Sequence, residues 1–273
     1  MLEALADRPL PLRKGAWRDL RDGARRIELW PRLGWQEVKH RYQRTALGPF
    51  WSVISLAVFI VTIGAVGAGL WKQDLHTYLP YLTAGMVVWT MISTTLTEGC
   101  AVFIINAGLL RSAQCDFSLL AYALVWRNLL VLLHHLSVCL LLMLVLAPHL
   151  LSPATLLLIP GLVLLAVNGV WLTLLLGMAC LRFRDIQQLV ASIMQIAMFV
   201  TPIFWPIHQL TGGRLLVVHL NPLYHCVEIA RAPMLGTVPT QANYIVVIAL
   251  AIVGWLVTIC VFGRYRERIP YWS

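Results

Sequence analysis

The chain has 273 residues, of which 59% are hydrophobic and only 12% are charged. Globular soluble domains carry about twice that share of charged residues, so the composition excludes a soluble domain and predicts an integral membrane protein. The formal net charge is +9, and in a membrane protein such a basic excess first indicates orientation rather than nucleic-acid binding.

Several motifs that would indicate catalysis or cofactor binding do not occur in the sequence. None of the lysines (Lys14, Lys39 and Lys72) stands in a G-x-x-x-x-G-K-[ST] phosphate loop, so the chain does not hydrolyse ATP by that route. The six cysteines are scattered, with no C-x-x-C pair and no metal spacing. A Ser-His-Asp set, paired carboxylates and an H-E-x-x-H motif are also missing. We therefore expect a chain that catalyses no reaction and binds no metal or cofactor itself.

The first predicted elements are amphipathic interface helices in residues 17–47, after a flexible tail over residues 1–16. From Trp17 to Ile27 apolar residues recur every three or four positions, and arginines fill the opposite side. We expect Pro31 to end the first helix, and a second helix with the same spacing to follow. A basic amphipathic helix just before a span is typical of a segment that lies in the membrane interface. A solvated linker helix is the alternative.

Six apolar segments follow, and we predict that each crosses the membrane. About 20 residues, at 1.5 Å rise per residue, are needed to cover the hydrocarbon core. The predicted spans are residues 50–70, 81–105, 128–146, 154–181, 189–205 and 244–263. They form one transmembrane domain over residues 48–263, and a basic cytoplasmic tail follows at residues 264–273.

The distribution of basic residues predicts the orientation of these spans. With six spans, 18 of the 21 Lys and Arg residues fall on the side that carries both termini. The other three, Lys72, Arg214 and Arg231, fall on the opposite side. Because Lys and Arg are concentrated in cytoplasmic segments, we predict that both termini are cytoplasmic.

The segment between the fifth and sixth spans is predicted to be a half-buried return into the membrane from the outer face. A second, shorter apolar stretch lies within residues 213–236. Glu228 and Arg231 interrupt it three residues apart, so on a short helix they face the same side and stabilise the return. The alternative is that Pro202, Pro206 and the pair Asn221-Pro222 simply shape a loop.

Ionisable residues inside predicted spans are candidates for function. His134 and His135 point about 100° apart on a helix and so do not hold one metal jointly from one face. A packing role and a ligand or proton-relay role are both open for this pair. Glu98 either forms an ion pair with Arg127 or faces a translocation path. Asp185, at the start of span five, either favours the positive end of that helix or contacts a partner protein.

Aromatic side chains offer a path for a sugar polymer. An aromatic face gives sugar C–H groups an apolar surface without demanding matched hydrogen bonds, so a chain can slide over it. The predicted path residues are Trp89, Glu98, Phe199, Phe204, Trp205 and Tyr224. Helix packing, or a belt at the membrane interface, is the alternative for each aromatic residue.

Motifs spread over about residues 35–273 resemble, in the same order, those of permeases of ABC-type polysaccharide exporters of the O-antigen or lipopolysaccharide branch. They are H-R-Y-Q-R-T-A-L-G-P-F-W (His40–Trp51), Y-A-L-V-W-R-N-L-L (Tyr122–Leu130), R-D-I-Q-Q-L-V-A-S (Arg184–Ser192), T-P-I-F-W-P (Thr201–Pro206), N-P-L-Y-H through R-A-P-M-L-G (Asn221–Gly236) and R-Y-R-E-R-I-P-Y-W (Arg264–Trp272). One departure is the stretch at residues 113–116, where that family has a more apolar, proline-containing run.

The resemblance implies an all-α membrane protein with six transmembrane helices, an amphipathic N-terminal interface helix and a re-entrant periplasmic segment between spans five and six. It implies a homodimer of permeases in the bacterial inner membrane that binds two copies of a separate nucleotide-binding ATPase. ATP and Mg would be bound by that partner. The complex would move a lipid-linked polysaccharide from the cytoplasm to the periplasm.

The resemblance also assigns roles to residues. Contact with the ATPase maps to the interface helices and the turn after span two, and the outer gate maps to the return segment. The ATPase-coupling residues would be Trp35, Arg41, Tyr42, Arg111, Asp116, Arg184 and Asp185. The periplasmic gate would be Pro202, Asn221, Pro222, Glu228 and Arg231.

Three alternatives stay open at this point. One is an ABC permease for another cell-surface glycan, of the capsule or teichoic-acid type, and another is an ABC permease for drugs or small lipids. The third is a multi-span glycosyl or acyl transferase that uses His134, His135 or Glu98. A transferase would need acidic or histidine residues clustered at a membrane interface, and the sequence shows no such cluster.

Overall fold

A computed structural model describes residues 15–43, 45, 47–48, 50–111, 116–150, 152–207 and 212–272. Within those residues all regular secondary structure is helical. Of the tail predicted for residues 1–16, residues 1–14 lie outside the described residues. The side chain of Arg111 also lies outside them.

The helices follow one another with short connections. In chain order they are α1 (Ala16–Arg25), α2 (Trp30–Arg41), α3 (Phe50–Leu70), α4 (Leu75–Ile105), α5 (Ala107–Arg111), α6 (Phe117–Leu146), α7 (Leu158–Arg182), α8 (Asp185–Val200), α9 (Gly213–Leu220), α10 (Pro222–Met234), α11 (Gln241–Tyr265) and α12 (Ile269–Trp272). Short 3₁₀ turns lie at Pro148–Leu150, Pro153–Leu157 and Arg266–Arg268.

Five helices in the described part of the chain are long and apolar enough to cross a membrane. They are α3, α4, α6, α7 with its preceding 3₁₀ turn, and α11 with the segment that follows it. These correspond to the first, second, third, fourth and sixth predicted spans. The fifth corresponds to α8, which has 16 residues and a length of about 24 Å, against a hydrocarbon core of about 30 Å. A sixth crossing therefore stays a prediction.

Pro31 does not end the first helix, as the sequence led us to expect. The first helix ends at Arg25, and Pro31 lies in the first turn of α2. A proline is favoured at that position because its missing N–H would have no intrahelical partner there, and its fixed φ suits a helix. The expected boundary was therefore wrong by half a dozen residues, although both predicted helices exist.

The N-terminal helices pack on the bundle through one edge each. Leu20 of α1 and Val38 of α2 are buried, while Trp17 of α1 and Trp35 of α2 are 64% and 55% exposed. Apolar side chains left outside the protein core on a short basic helix are what a helix in the membrane interface presents to lipid.

The central helix is α4, which packs against α3, α6, α7, α8 and α10. Small residues allow α4 and α7 to pack closely. A Cβ atom on Gly99 would lie 3.2 Å from the Cα of Thr173. Lipid tails are as apolar as the side chains, so the hydrophobic effect does not drive helices together in a membrane. Close van der Waals packing of this kind does so instead.

The chain between α8 and α11 folds back into the bundle as a helical hairpin, formed by α9 and α10. Leu223 and Cys226, in the first turns of α10, share a cavity with Met91, which lies near the middle of α4. Gly161 of α7 lies directly against α10, since a Cβ atom there would be 2.6 Å from the carbonyl oxygen of Ile229. The second half of the predicted return is thus a buried helix rather than a loop.

The segment after α11 is helical and packed, not a loose tail. Arg266 is 7% exposed and Ile269 is fully buried, and the guanidinium of Arg182 lies 5.6 Å from the ring centre of Trp272. This segment, α1 and the start of α6 meet at one end of the bundle.

Candidate functional site

Four charged residues from α2, α4 and α6 form one connected group, which we call the Arg127 network (Glu37, Arg41, Glu98 and Arg127). Arg127 of α6 is 9% exposed, and its two terminal nitrogens donate to Glu37 and to Glu98. The second oxygen of Glu98 accepts from Arg41 at 2.6 Å. The network fixes α2 against two of the long helices.

The structure contains the Glu98–Arg127 ion pair that the sequence suggested, and it adds two partners. Glu37 was not singled out from the sequence, although it lies one turn before Arg41 on α2. Asn128 extends the contact, since it accepts from Arg127 Nε at 3.3 Å and donates to Thr95 Oγ1 at 3.1 Å. Charge-assisted bonds of this kind are roughly twice as strong as neutral ones.

A second buried group, the Asp19 cluster (Asp19, Phe117, Ser118 and Arg266), joins α1 to the start of α6 and to the chain after α11. Asp19 is fully buried. Its carboxylate accepts from Arg266 Nε and Nη2 at 2.9 and 2.7 Å. It also accepts from the backbone N–H groups of Phe117 and Ser118 at 3.2 and 3.0 Å. The Arg266 guanidinium lies 5.0 Å from the ring centre of Phe117.

Sequence reasoning missed Asp19 altogether. A signal was present, because Asp19 lies beside Leu20 on the edge of α1 that also carries Gly23, and both of these neighbours are buried. A carboxylate on the buried edge of a basic helix indicates a fixed cationic partner elsewhere in the chain. That partner, 247 residues away, is not readable from local sequence.

The predicted coupling residues lie on several elements of the same end of the bundle. Trp35 is 55% exposed on α2, and Tyr42 follows the end of that helix. Asp116 precedes α6 and forms an ion pair with Arg26 at 2.9 Å. Arg184 and Asp185 are exposed where α8 begins. Arg111 ends α5, and its side chain lies outside the described residues. No observation assigns these residues to an ATPase contact, which stays a prediction.

Three of the predicted gate residues lie in a buried group that we call the Arg231 cluster (Tyr81, Pro202, Glu228 and Arg231). Arg231 is 2% exposed and donates to Glu228 through Nε at 3.0 Å and to the Pro202 carbonyl at 2.6 Å. Its guanidinium lies 4.4 Å from the ring centre of Tyr81, a distance that permits a cation–π contact. Tyr81 also donates to the Pro202 carbonyl at 2.9 Å. The expected Glu228–Arg231 pairing is therefore present.

Asn221 and Pro222 start the return helix. The Asn221 side chain accepts from the backbone N–H of Leu223 at 3.0 Å, and Pro222 occupies the first position of α10. Asparagine at the N-cap and proline at the next position are both favoured at a helix start. Asn221 also donates to Thr201 Oγ1 at 2.9 Å, which ties the hairpin to the end of α8.

The structure brings only part of the predicted aromatic path together. Phe204 lies 5.8 Å from Phe199 and 6.2 Å from Phe59, measured between ring centres. Phe59 and Trp89 line one groove of about 280 Å³ with residues of α4 and α8. Trp205 donates to the Phe199 carbonyl at 3.0 Å. The face formed by α3, α4 and α8 thus carries these aromatics, and Phe59 is an addition to the predicted set.

Two predicted path residues lie elsewhere. Tyr224 is 8% exposed, and its ring packs at 5.1 Å from His225 within the hairpin. Glu98 belongs to the Arg127 network. These two residues therefore lie apart from the aromatic face of α3, α4 and α8, and a role for them in the path stays a prediction.

The two histidines of α6 have separate environments. His134 Nδ1 lies 2.7 Å from the Leu130 carbonyl of its own helix, whereas His135 is 4% exposed. No hydrogen bond or ion pair in the described part of the chain joins either histidine to Glu98. The arrangement that a transferase would require is not formed by these three residues.

Two comparisons with known proteins bear on this arrangement. The family model described as ABC-2 type transporter matches residues 29–235. The chain is also similar to the O-antigen export system permease protein RfbA of Myxococcus xanthus, with 24% identity over 191 residues, 69% of this chain and 73% of that protein. The matched region begins just before α2 and ends just after α10, so it contains the whole Arg127 network and the whole hairpin.

Proposed function

The chain belongs to the ABC-2 type transporter family, and we propose that it is the permease subunit of an ATP-driven exporter of a lipid-linked polysaccharide. The observation that carries the proposal is the family match over most of the chain, together with the similarity to an O-antigen export permease. The motifs that resemble the O-antigen branch favour a substrate of that type.

In the proposed arrangement two copies of the chain assemble in the bacterial inner membrane with two copies of a separate ATPase, which binds ATP and Mg. Both termini and the Asp19 cluster face the cytoplasm. The hairpin of α9 and α10 enters the bundle from the periplasmic side. The polymer moves outward, toward that hairpin.

The Arg127 network gives this proposal a route for coupling. Helix α2 contacts the ATPase, and its residues Glu37 and Arg41 hold Arg127 of α6 and Glu98 of α4. A displacement of α2 when ATP closes the ATPase pair therefore acts on two long helices at once. Energetic coupling between distant sites requires an element with two arrangements whose equilibrium is shifted by events at both sites. The Arg127 network would make α2, α4 and α6 such an element.

The outer end of the path is built from the aromatic face of α3, α4 and α8 and from the Arg231 cluster. The aromatic rings supply a surface over which sugars slide, and the cluster fixes α10 against α4 and the end of α8. Opening for a polymer then requires movement of the hairpin as one packed unit.

Deletion of the gene in its own host tests the proposal. We expect lipid-linked polymer to accumulate inside the cell and surface polymer to be lost, with both effects reversed by the wild-type gene. Surface polymer at normal levels in the deletion strain would overturn the proposal. Loss of a different surface glycan, of the capsule or teichoic-acid type, would keep the transport role and change the substrate.

A further inference from the structure

An apolar groove lies between α1 and the long helices beside it, and none of the features above uses it. Its wider part, of about 440 Å³, is bounded by α1, α6 and α11. The residues that line it are Trp17, Leu20, Arg21, Ala24, Tyr122, Trp255 and Ile259. A second part, of about 190 Å³, shares Tyr122 and Trp255 and continues to Trp30 and Trp126. The two parts form one elongated depression between a surface helix and the bundle.

The walls of this groove offer ring faces and aliphatic carbons. The hydroxyl of Tyr122 donates to the Leu20 carbonyl at 3.2 Å, and the indole N–H of Trp30 donates to the Ala24 carbonyl at 3.3 Å. Their polar atoms are therefore already satisfied by α1. The indole N–H of Trp255 has no acceptor among the described residues, so it is available to a hydrogen-bond acceptor in the groove.

One cation belongs to the lining. Arg21 is exposed and, within the residues that the structure describes, forms no ion pair. Arg18 and Arg25 lie three positions before it and four after it, so they share its side of α1. Of the two carboxylates on this helix, Asp19 is fully buried and bound by Arg266, whereas Asp22, next to Arg21 in the chain, is half-buried and has an interaction of its own. The groove thus has an apolar floor and a basic rim.

We propose that the groove is a binding site for an anionic phospholipid, with an acyl chain along the apolar floor and the phosphate at Arg21. Basic pockets between helices at the cytoplasmic membrane surface bind anionic headgroups, and the charge of Arg21 complements the phosphate. A Trp N–H at headgroup depth suits the ester carbonyls of a lipid, because the indole ring is apolar and its N–H is not. The site rests on the proposed orientation, with α1 at the cytoplasmic surface, and not on the transported substrate.

The position of the groove gives the lipid a structural role. One edge of α1 is fixed by the Asp19 cluster, while its other edge faces Trp255 and Ile259 of α11 across the groove. A lipid held there completes the packing of α1. Because the bound lipid lies between α1 and α11, it exchanges more slowly than lipid on a flat helix face.

The test uses the full chain purified from membranes in a mild detergent, with retained lipid extracted and quantified by mass spectrometry. We expect stoichiometric phosphatidylglycerol or cardiolipin, enriched over phosphatidylethanolamine relative to the source membrane. Arg21→Gln should lower the retained anionic lipid about fivefold, the effect of one surface cation on anionic-lipid binding. Ala24→Phe should lower retention of every lipid class, because its ring fills the groove.

Lys39→Gln is the control, since Lys39 is an exposed cation on the neighbouring helix α2 and lines neither part of the groove. It should leave retention nearly unchanged. Equal losses in Arg21→Gln and Lys39→Gln, or a retained lipid mixture equal to that of the membrane, would overturn the proposal and indicate ordinary surrounding lipid. So would a wild-type protein that retains no phospholipid.

A second measurement does not depend on retention in detergent. In phosphatidylcholine vesicles with a small fraction of brominated phosphatidylglycerol, part of the tryptophan fluorescence should be quenched. Trp255→Phe should reduce that part without removing it, because Trp17, Trp30 and Trp126 line the same groove. Equal quenching by brominated phosphatidylcholine at the same fraction would contradict a site that selects the anionic headgroup.

Discussion

Asp19 of α1 binds two other parts of the chain through one fully buried carboxylate. Its partners are the Arg266 guanidinium and the backbone N–H groups of Phe117 and Ser118. Burial of a charge is costly unless it is paired and hydrogen-bonded, and this carboxylate is both. If one partner is removed, the other charge is left buried without compensation.

We therefore predict that Asp19→Asn and Arg266→Gln each lower the stability of the purified protein by about 3–5 kcal/mol. Thermal unfolding in detergent measures the effect as a lower midpoint. Arg268→Gln is the control, because Arg268 is exposed two positions after the buried Arg266, and its unfolding midpoint should not change. Asp19→Asn with a wild-type midpoint would show that the cluster does not stabilise the fold.

Arg41 permits a test of coupling with little effect on folding. Its side chain is 41% exposed and contacts Glu98 at 2.6 Å, and an exposed ion pair contributes only about 0–1 kcal/mol to stability. We predict that Arg41→Gln reduces the stimulation of ATPase activity by lipid-linked substrate, because α2 is then less firmly tied to α4. Basal ATPase activity of the reconstituted complex should stay at the wild-type level.

Lys39→Gln is the matched control for Arg41→Gln, since Lys39 is exposed on the same helix and takes no part in the Arg127 network. Its stimulation should equal that of the wild type. Full stimulation in Arg41→Gln would remove the Glu98–Arg41 contact from the coupling route.

For single residues, the sequence predicted ion-pair partners of two kinds. Some are close to each other in the chain, and others are isolated charges in or beside an apolar span. Glu228 and Arg231 are three residues apart on a helix, and Glu98 and Arg127 are conspicuous charges near neighbouring span ends. Asp19 was not predictable in this way, because its partner is fixed by the packing of α1 against the last segment of the chain. Local spacing carries no information about that packing.

At the scale of elements, apolar periodicity predicted where helices occur but not where they begin. The helix α6 begins at Phe117, 11 residues before the predicted start of the third span at Asn128. Arg127, which is predicted to lie at the membrane entrance, is buried within that helix. Its charge is neutralised by Glu37 and Glu98, and pairing of this kind depends on tertiary contacts.

The contact between α7 and α10 offers a prediction about the hairpin. A Cβ atom on Gly161 would lie 2.6 Å from the Ile229 carbonyl oxygen, and a backbone atom cannot rotate away. We predict that Gly161→Ala displaces α10 and lowers stability by about 1–3 kcal/mol, the usual cost of overpacking. It should also reduce surface polymer in a complementation assay.

Gly69→Ala is the control substitution for Gly161→Ala. Gly69 is also a helical glycine, in α3, but no atom lies within 4 Å of the position of its added Cβ atom. Alanine there should be neutral or slightly stabilising, because it reduces the backbone entropy lost on folding. Equal destabilisation by both substitutions would mean that the α7–α10 contact is not the cause.

For the whole molecule, composition alone was sufficient to predict a helical membrane protein, and five of the six predicted spans correspond to helices of spanning length. The sixth depends on α8, whose 16 residues cover about 24 Å of a hydrocarbon core of about 30 Å. Residues 201–206, which include Pro202 of the Arg231 cluster, continue from α8 without helical structure. Length and hydropathy therefore do not decide whether the chain crosses the membrane at α8. The distribution of basic residues, however, predicts a crossing there.

We predict that α8 crosses the membrane together with residues 201–207, so that the chain makes an even number of crossings and both termini are cytoplasmic. In a cysteine-free background, Lys72→Cys should react with a membrane-impermeant maleimide in intact cells. Asp185→Cys and Glu267→Cys, both at exposed positions, should react only after the membrane is permeabilised. Glu267 decides the question, because without a crossing at α8 the end of α11 would lie on the same side as Lys72. Labelling of Glu267→Cys in intact cells would therefore leave five crossings and place the hairpin of α9 and α10 on the cytoplasmic side.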